Sequence, residues 1–291
     1  MEIKEFYTLK TLEEVLSLLS LAPERSRVVA GGTDLLPQLR RGEIRADFLI
    51  DLTRVNELKF MAEDEESVRI GAGTTVQELA EDGLIRKHFR VLAEAAASLG
   101  SLQVRNRGTI GGNLGRSSPA ADPVCALVAL NATLVLKSRE GQRDVLVRDF
   151  LVGPGRNVAR PDEIIAEILI RKPQGPCGSK FLKLGGRKAL VLAIVSAGAY
   201  LEVGRGGEVA QCGIGLGSVG PRTIWPAGVP ELLLGRVLDR ERLEAVVQKV
   251  SEAVSPISDV RGSAEYRRAM VPVLTRRALM AAASEAGIEV S

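Results

Sequence analysis

Two glycine pairs, the first placed between a strand and a helix start, restrict this chain more than any other feature. The first lies in AGGTDLL, residues 30–36, and the second in RNRGTIGGN, residues 105–113. Adjacent glycines let successive backbone N–H groups turn into one concavity, because no Cβ obstructs them. RVVA precedes the first pair and reads as a buried strand. A helix is expected from Asp34, with Asp34 as its cap and Pro37 in the first turn, where proline is tolerated. A helix start also favours an anion. Thr33, Thr109 and Asn113 add side-chain donors or caps. Two such loops on neighbouring α/β units suit a pyrophosphate gripped from both sides. No GxxxxGK[ST] is present, so a P-loop ATPase is not supported.

Asp122 stands beyond the second pair, after SSPAA. A carboxylate near a diphosphate is unfavourable unless it faces hydroxyls, which a ribityl or ribose chain supplies. The alternative is that Asp122 caps the helix of DPVCALVAL, and the residues alone leave both readings open. A third cluster, GIGLGSVG, puts Gly215, Gly217 and Gly220 in the GxGxxG dinucleotide pattern. Pro221 follows at once and TIWPAG starts no helix, so a glycine-softened strand is expected there instead.

Around these loops the chain of 291 residues has room for two or three domains. The opening reads strand–helix–strand: IKEFYT, then TLEEVLSLLS behind a Thr11–Glu14 capping box, then RVVA, with FLIDLT as a further strand. A second unit opens on VRIGAGTT, where Thr75 and Glu78 make another capping box, and helices run to about Leu99. PVCALVALNATLVLKS is expected to be a helix, a break at Asn131, and a strand; RDVLVRDFL and DEIIAEILIRK are expected strands. KPQGPCGSK, residues 172–180, is the best linker. Beyond it, KFLKLGGRK, ALVLAIVSAGAYLEV and EVAQCGIGLGSV read as antiparallel strands. DRERLEAVVQKVSEAV and AEYRRAMVPVLTRRALMAAASEAG read as helices.

Composition narrows the chemistry. A single histidine, His88, in the charged IRKHFR, reads as a surface residue, and its solitude removes most Ser-His-Asp, Cys-His and His-metal arrangements. Cys125, Cys177 and Cys212 are far apart and lack CxxC spacing, which speaks against a disulfide framework or a metal or iron–sulfur site in this chain. Aromatics at 3% and a net charge of +3, with both signs interspersed, do not suit nucleic acid. MEIKEFYTLK is not a signal peptide and no apolar run spans a bilayer, so a cytoplasmic protein is expected. An organic cofactor is a better carrier of the chemistry than these side chains.

In order along the chain stand AGGTDLLPQLRRG, LIDLTRVNEL, IGAGTTVQEL, SLGSLQVRNRGTIGGNLGRSSPAAD, RDFLVGPGR, KFLKLGGRK and SDVRGSAEYRRAM. Through these motifs, over almost its full length, the chain resembles the FAD-binding medium subunit of the molybdenum hydroxylases. That family includes the flavin subunits of carbon monoxide, xanthine and aldehyde dehydrogenases. The resemblance implies an α+β protein. Two α/β subdomains, residues 1–55 and 56–173, would form a vanillyl-alcohol-oxidase-type (PCMH-type) FAD fold, followed by a C-terminal α+β domain, residues 178–291, of antiparallel sheet and helices. It implies a first pyrophosphate loop at Val29, Ala30, Gly31, Gly32, Thr33, Asp34 and Leu35, and a second at Thr109, Ile110, Gly111, Gly112 and Asn113. Asp122 would bind flavin-side hydroxyls, Ile165 would pack on the cofactor, and Lys183 would reach the flavin ring or ribityl region.

The resemblance further implies partners: a large molybdopterin subunit and a small subunit with two [2Fe–2S] clusters, paired as a dimer of heterotrimers. This chain would supply the flavin step, from the clusters to an external acceptor. The cluster-binding cysteine insertion of the hydroxybenzoyl-thioester branch is missing here. A flavin-free assembly subunit and a stand-alone flavin oxidoreductase are the alternatives. Arg187 and Lys188, tempting as acceptor-site charges, are read as ordinary surface cations, and SDVRGSAEYRRAM as a structural or subunit-contact signature.

Overall fold

The computed structural model describes residues 3–187 and 190–290; Lys188 lies outside them. The amino-terminal unit contains β1 (Glu5–Thr8), α1 (Leu12–Leu21), β2 (Ser26–Val29), α2 (Leu35–Arg41) and β3 (Phe48–Asp51). Its three strands are parallel in the order β1-β3-β2, with Tyr7 and Val28 both level with Ile50. Parallel strands must be joined by crossovers, which α1 and α2 provide. The Thr11–Glu14 box closes the start of α1. Asp34 precedes α2 but does not cap it: its carboxylate is taken by Gln38 and Arg116, each at 2.8 Å.

The middle unit begins with β4 (Met61–Glu63) and β5 (Ser67–Gly71). A helical run follows: α3 (Val76–Glu81), α4 (Gly83–His88), α5 (Arg90–Ser98), α6 (Leu102–Arg105), α7 (Ile110–Arg116) and α8 (Asp122–Ala129). The chain then returns as β6 (Thr133–Ser138), β7 (Gly141–Leu146), α9 (Val147–Phe150), the hairpin β8 (Leu151–Gly153) and β9 (Arg156–Asn157), and β10 (Ile164–Arg171). The sheet runs β4-β5-β10-β6-β7, antiparallel throughout. The stretch RDVLVRDFL is thus not one strand. Val147 and Phe150, fully buried and three apart, suit one face of the short helix α9. The second capping box, Thr75 with Glu78, starts α3. His88 is not a surface residue either: its side chain is 14% exposed, and burial lowers its pKa.

The carboxy-terminal unit has β11 (Cys177–Leu184), β12 (Val195–Val203), β13 (Val209–Gly217), α10 (Val229–Leu233), α11 (Arg240–Glu252) and α12 (Ala264–Glu285). The strand within ALVLAIVSAGAYLEV starts only at Val195. The sheet β11-β12-β13 is antiparallel and covered on both faces; all nine residues of β12 are buried. Alternation sorts the two sides. Ala197, Ala199, Leu201, Cys212, Ile214 and Leu216 enter a core with α11 and α12. Gly198, Gly213 and Gly215 face α8: a Cβ on Gly213 or Gly215 would overlap the Ala129 or Cys125 carbonyl. The GIGLG run is therefore a strand whose glycines, at period two, admit a helix backbone. Arg267, 3% exposed, secures this sheet from α12: it donates to the carbonyls of Ile194 (2.6 Å) and Ser218 (3.0 Å) and to Asp259 (2.7 Å). One of the three arginines of the SDVRGSAEYRRAM stretch is thus a buried brace.

Candidate functional site

The two glycine loops lie against each other. A Cβ on Gly31 would overlap the Arg107 carbonyl, and one on Gly111 would come within 2.6 Å of the Ala72 Cβ. These two glycines are small because backbone meets backbone. Gly32 is different: it holds φ +70°, a conformation that favours glycine, and turns the chain from β2 into α2. Among the described residues, the N–H groups of Gly31, Gly32, Thr33 and Asp34 donate to no protein acceptor. The second loop is more occupied. Its Ile110 and Gly111 amides go to the Thr74 and Ala72 carbonyls at 3.0 and 2.9 Å. Gly112 N–H goes to Thr109 Oγ1 at 3.1 Å. Thr109 is thus the cap of α7, and Gly112 and Gly115 are exposed beside it.

Both loops line one cleft of about 930 Å³, which runs on to Asp122, Ile165 and Lys183. Every residue expected from the sequence to hold the cofactor borders it except Val29 and Ile110, whose side chains are turned into the cores behind the loops. Asp122 opens α8 but caps nothing. Its side chain is 3% exposed; Oδ2 accepts from Lys183 Nζ at 2.6 Å and from Ser98 Oγ at 3.2 Å. Lys183 also donates to the Ser98 carbonyl at 3.1 Å, so one lysine from β11 joins the carboxy-terminal sheet to α5 and α8. Burial pushes the Asp122 carboxyl above its ordinary pKa, and the Lys183 ammonium pulls it back.

Two acceptors in this cleft are left over. Asp122 Oδ1 and Asn113 Oδ1 are buried and have no hydrogen-bond partner. Buried polar atoms are normally satisfied, so each calls for a donor from a bound molecule or water. The cleft therefore offers amide donors at one end and orphaned acceptors further along, between apolar walls that include Leu99, Phe150 and Ile165. Sequence reasoning did not identify Arg116, which reaches from the end of α7 to Asp34, or Ser98, which holds Asp122. Arg116 stands inside the TIGGNLGR stretch, but only the fold shows what it meets.

The family model described as "FAD binding domain in molybdopterin dehydrogenase" matches residues 2–173, and "CO dehydrogenase flavoprotein C-terminal domain" matches residues 180–282. The chain belongs to the FAD-binding medium subunits of the molybdenum hydroxylases. It is 35% identical over 271 residues to the nicotinate dehydrogenase FAD-subunit of Eubacterium barkeri, covering 92% of each chain. It is 31% identical over 269 residues to the glyceraldehyde dehydrogenase medium chain of Sulfolobus acidocaldarius, covering 92% of this chain and 94% of the other. Among solved structures, carbon monoxide dehydrogenase from Hydrogenophaga pseudoflava superposes with a TM-score of 0.92 at 29% identity, over 98% of both chains. The fold is thus that of the medium chains, and the cofactor is FAD. The residues present fit that group: its diphosphate seeks amide donors, and its hydroxyls and ring edges seek acceptors such as the two orphaned oxygens.

Proposed function

We propose that this chain carries FAD in the cleft between its glycine loops and passes electrons within a molybdenum hydroxylase complex. The observation behind the assignment of residues is the pair of buried, unpartnered acceptors, Asn113 Oδ1 and Asp122 Oδ1, in the same cleft as the open amides of residues 31–34. On this reading Ala30 to Leu35 hold one side of the diphosphate. Thr109, Gly111, Gly112 and Asn113 border the other, with Val29 and Ile110 fixing the loops from behind. Asp122 accepts from flavin-side hydroxyls, Lys183 orients that carboxylate and offsets part of the cost of burying its charge, and Ile165 supplies an apolar wall. Bound FAD supplies a store that accepts electrons singly and releases them singly or in pairs. The side chains of this protein bind, orient and shield it.

Medium chains and FAD-subunits are parts of larger assemblies. We place this chain with a large molybdopterin-binding subunit and a small [2Fe–2S] subunit, as a dimer of heterotrimers in the cytoplasm that delivers electrons to an external acceptor. Cys125, Cys177 and Cys212 sit on three different elements, which suits clusters held by the small subunit. Among the described residues no helix is long and apolar enough to cross a membrane.

The test is a visible absorption spectrum of the purified chain, with identification of the released cofactor. A flavin spectrum yielding FAD is expected, and Gly112→Leu is expected to abolish it, since a side chain there enters the cleft. A colourless wild-type protein that refuses added FAD even with its partners present would promote the flavin-free assembly role. Substrate turnover by this chain alone would favour a stand-alone oxidoreductase.

A further inference from the structure

Asp34 poses an electrostatic problem. It sits at the end of the open amide row and lines the cleft, with its side chain 53% exposed. A diphosphate ester is negatively charged on both phosphates, so an uncompensated carboxylate beside it would repel it. The structure supplies the remedy from the opposite loop. Arg116, the last residue of α7, places Nε 2.8 Å from Asp34 Oδ2, while Gln38 occupies Oδ1 at 2.8 Å. Arg116 also lines the cleft. Its position is braced from behind. Asn157 donates to the Gly115 carbonyl at 3.2 Å and to Ser117 Oγ at 3.0 Å, holding the end of α7. Gly155 leaves room for the guanidinium, since a Cβ there would lie 3.1 Å from Nη1.

We infer that Arg116 is a further cofactor-binding residue: it neutralises Asp34 across the two loops and thereby makes the cleft tolerant of a diphosphate. The inference rests on the FAD reading above. It distinguishes the diphosphate from the rest of the cofactor. A ligand without phosphate should be indifferent to Arg116, and the cost of losing Arg116 should vanish once Asp34 is also neutral.

The experiment is flavin titration of the full-length chain, stripped of cofactor, followed by quenching of flavin fluorescence. FAD and riboflavin are compared on wild type, Arg116→Gln, Arg116→Lys and the double variant Asp34→Asn with Arg116→Gln. Arg116→Gln is expected to weaken FAD about two- to fivefold, the scale of a half-exposed ion pair, and to leave riboflavin unchanged. Arg116→Lys keeps the charge and should lose less. The double variant should recover most of the loss. Equal FAD affinity in wild type and Arg116→Gln would overturn the inference, as would a double variant no better than the single one or an equal loss of riboflavin. If wild type itself takes up no FAD, the underlying reading fails, and that result is distinct from an ion pair without effect.

Discussion

Lys183 and Asp122 form a pair whose two members are not equally replaceable. Asp122 is buried and Lys183 nearly so, with side chains 3% and 12% exposed. Removing one partner of a buried pair leaves an uncompensated charge. Lys183→Met should therefore lower stability at neutral pH by about 3 kcal/mol. The pH dependence follows from the raised pKa of Asp122. A raised folded pKa gives stability that is full below the unfolded value and is lost as pH rises through the folded value. The deficit of Lys183→Met should thus shrink on acidification, in denaturant titrations at neutral and acid pH. A deficit that stayed constant would show that the lysine's packing, rather than its charge, matters. At this scale the sequence was legible where a residue acts on its near neighbours: the Thr11–Glu14 and Thr75–Glu78 boxes form as read. It was not legible where the partner is distant. Asp34 reads as a cap, yet its oxygens belong to Gln38 and Arg116. His88 reads as exposed among its charged neighbours, yet tertiary packing buries most of its ring.

Among the elements, α8 is wholly enclosed, as β12 is, with all eight residues buried. It lies on β13 through the glycine face, and Cys125 Sγ donates to the Gly215 carbonyl at 3.1 Å. Gly215→Ala puts a methyl into the Cys125 carbonyl. A cost of about 1–3 kcal/mol is expected, the usual range for overpacking, seen as a lower Tm with unchanged secondary structure. An unchanged Tm would mean that β13 and α8 can separate freely. GIGLGSVG imitates a dinucleotide fingerprint by coincidence. Gly215 and Gly217 follow the strand period of two, Gly220 falls past the end of β13 at Gly217, and the missing helix exposes the imitation. The sheet strands with strong alternation were readable. The VRDF turn of α9 was not, because a four-residue apolar run fits strand and helix periods equally.

For the molecule as a whole, the segment 172–180 reads in the sequence as a linker, but residues 177–180 open β11 and the rest is pinned. Gln174 N–H donates to Glu202 Oε1, and Val203 N–H to the Pro176 carbonyl, both at 2.8 Å. The sheet beyond it needs α5 and α8 on one face and α12 on the other. We expect the middle and carboxy-terminal units to unfold together, as a single calorimetric transition. A separate early transition assigned to residues 180–290 would contradict this. The overall layout, with paired glycine loops ahead of an antiparallel terminal sheet, was legible from motif order. The interlocking of the units was not, since it depends on β12 being buried on both faces.

The amino-terminal sheet, made of strands only four residues long, has a consequence for loading. Its main core borrows Ile164 and Ala166 from β10, so it has little cohesion of its own, and it carries one wall of the cleft. Cofactor uptake and the ordering of this unit then become one equilibrium. Saturating FAD adds stability as the logarithm of its free concentration, about 2.7 kcal/mol at a hundredfold excess over Kd. Hydrogen exchange should find the amides of residues 26–51 among the fastest in the empty protein and selectively slowed by FAD. A uniform slowing across the chain would mean that the unit is ordered beforehand. The flavin would thus act as a structural staple for the least self-sufficient of the three units, and FAD supply would set how much of the protein escapes proteolysis.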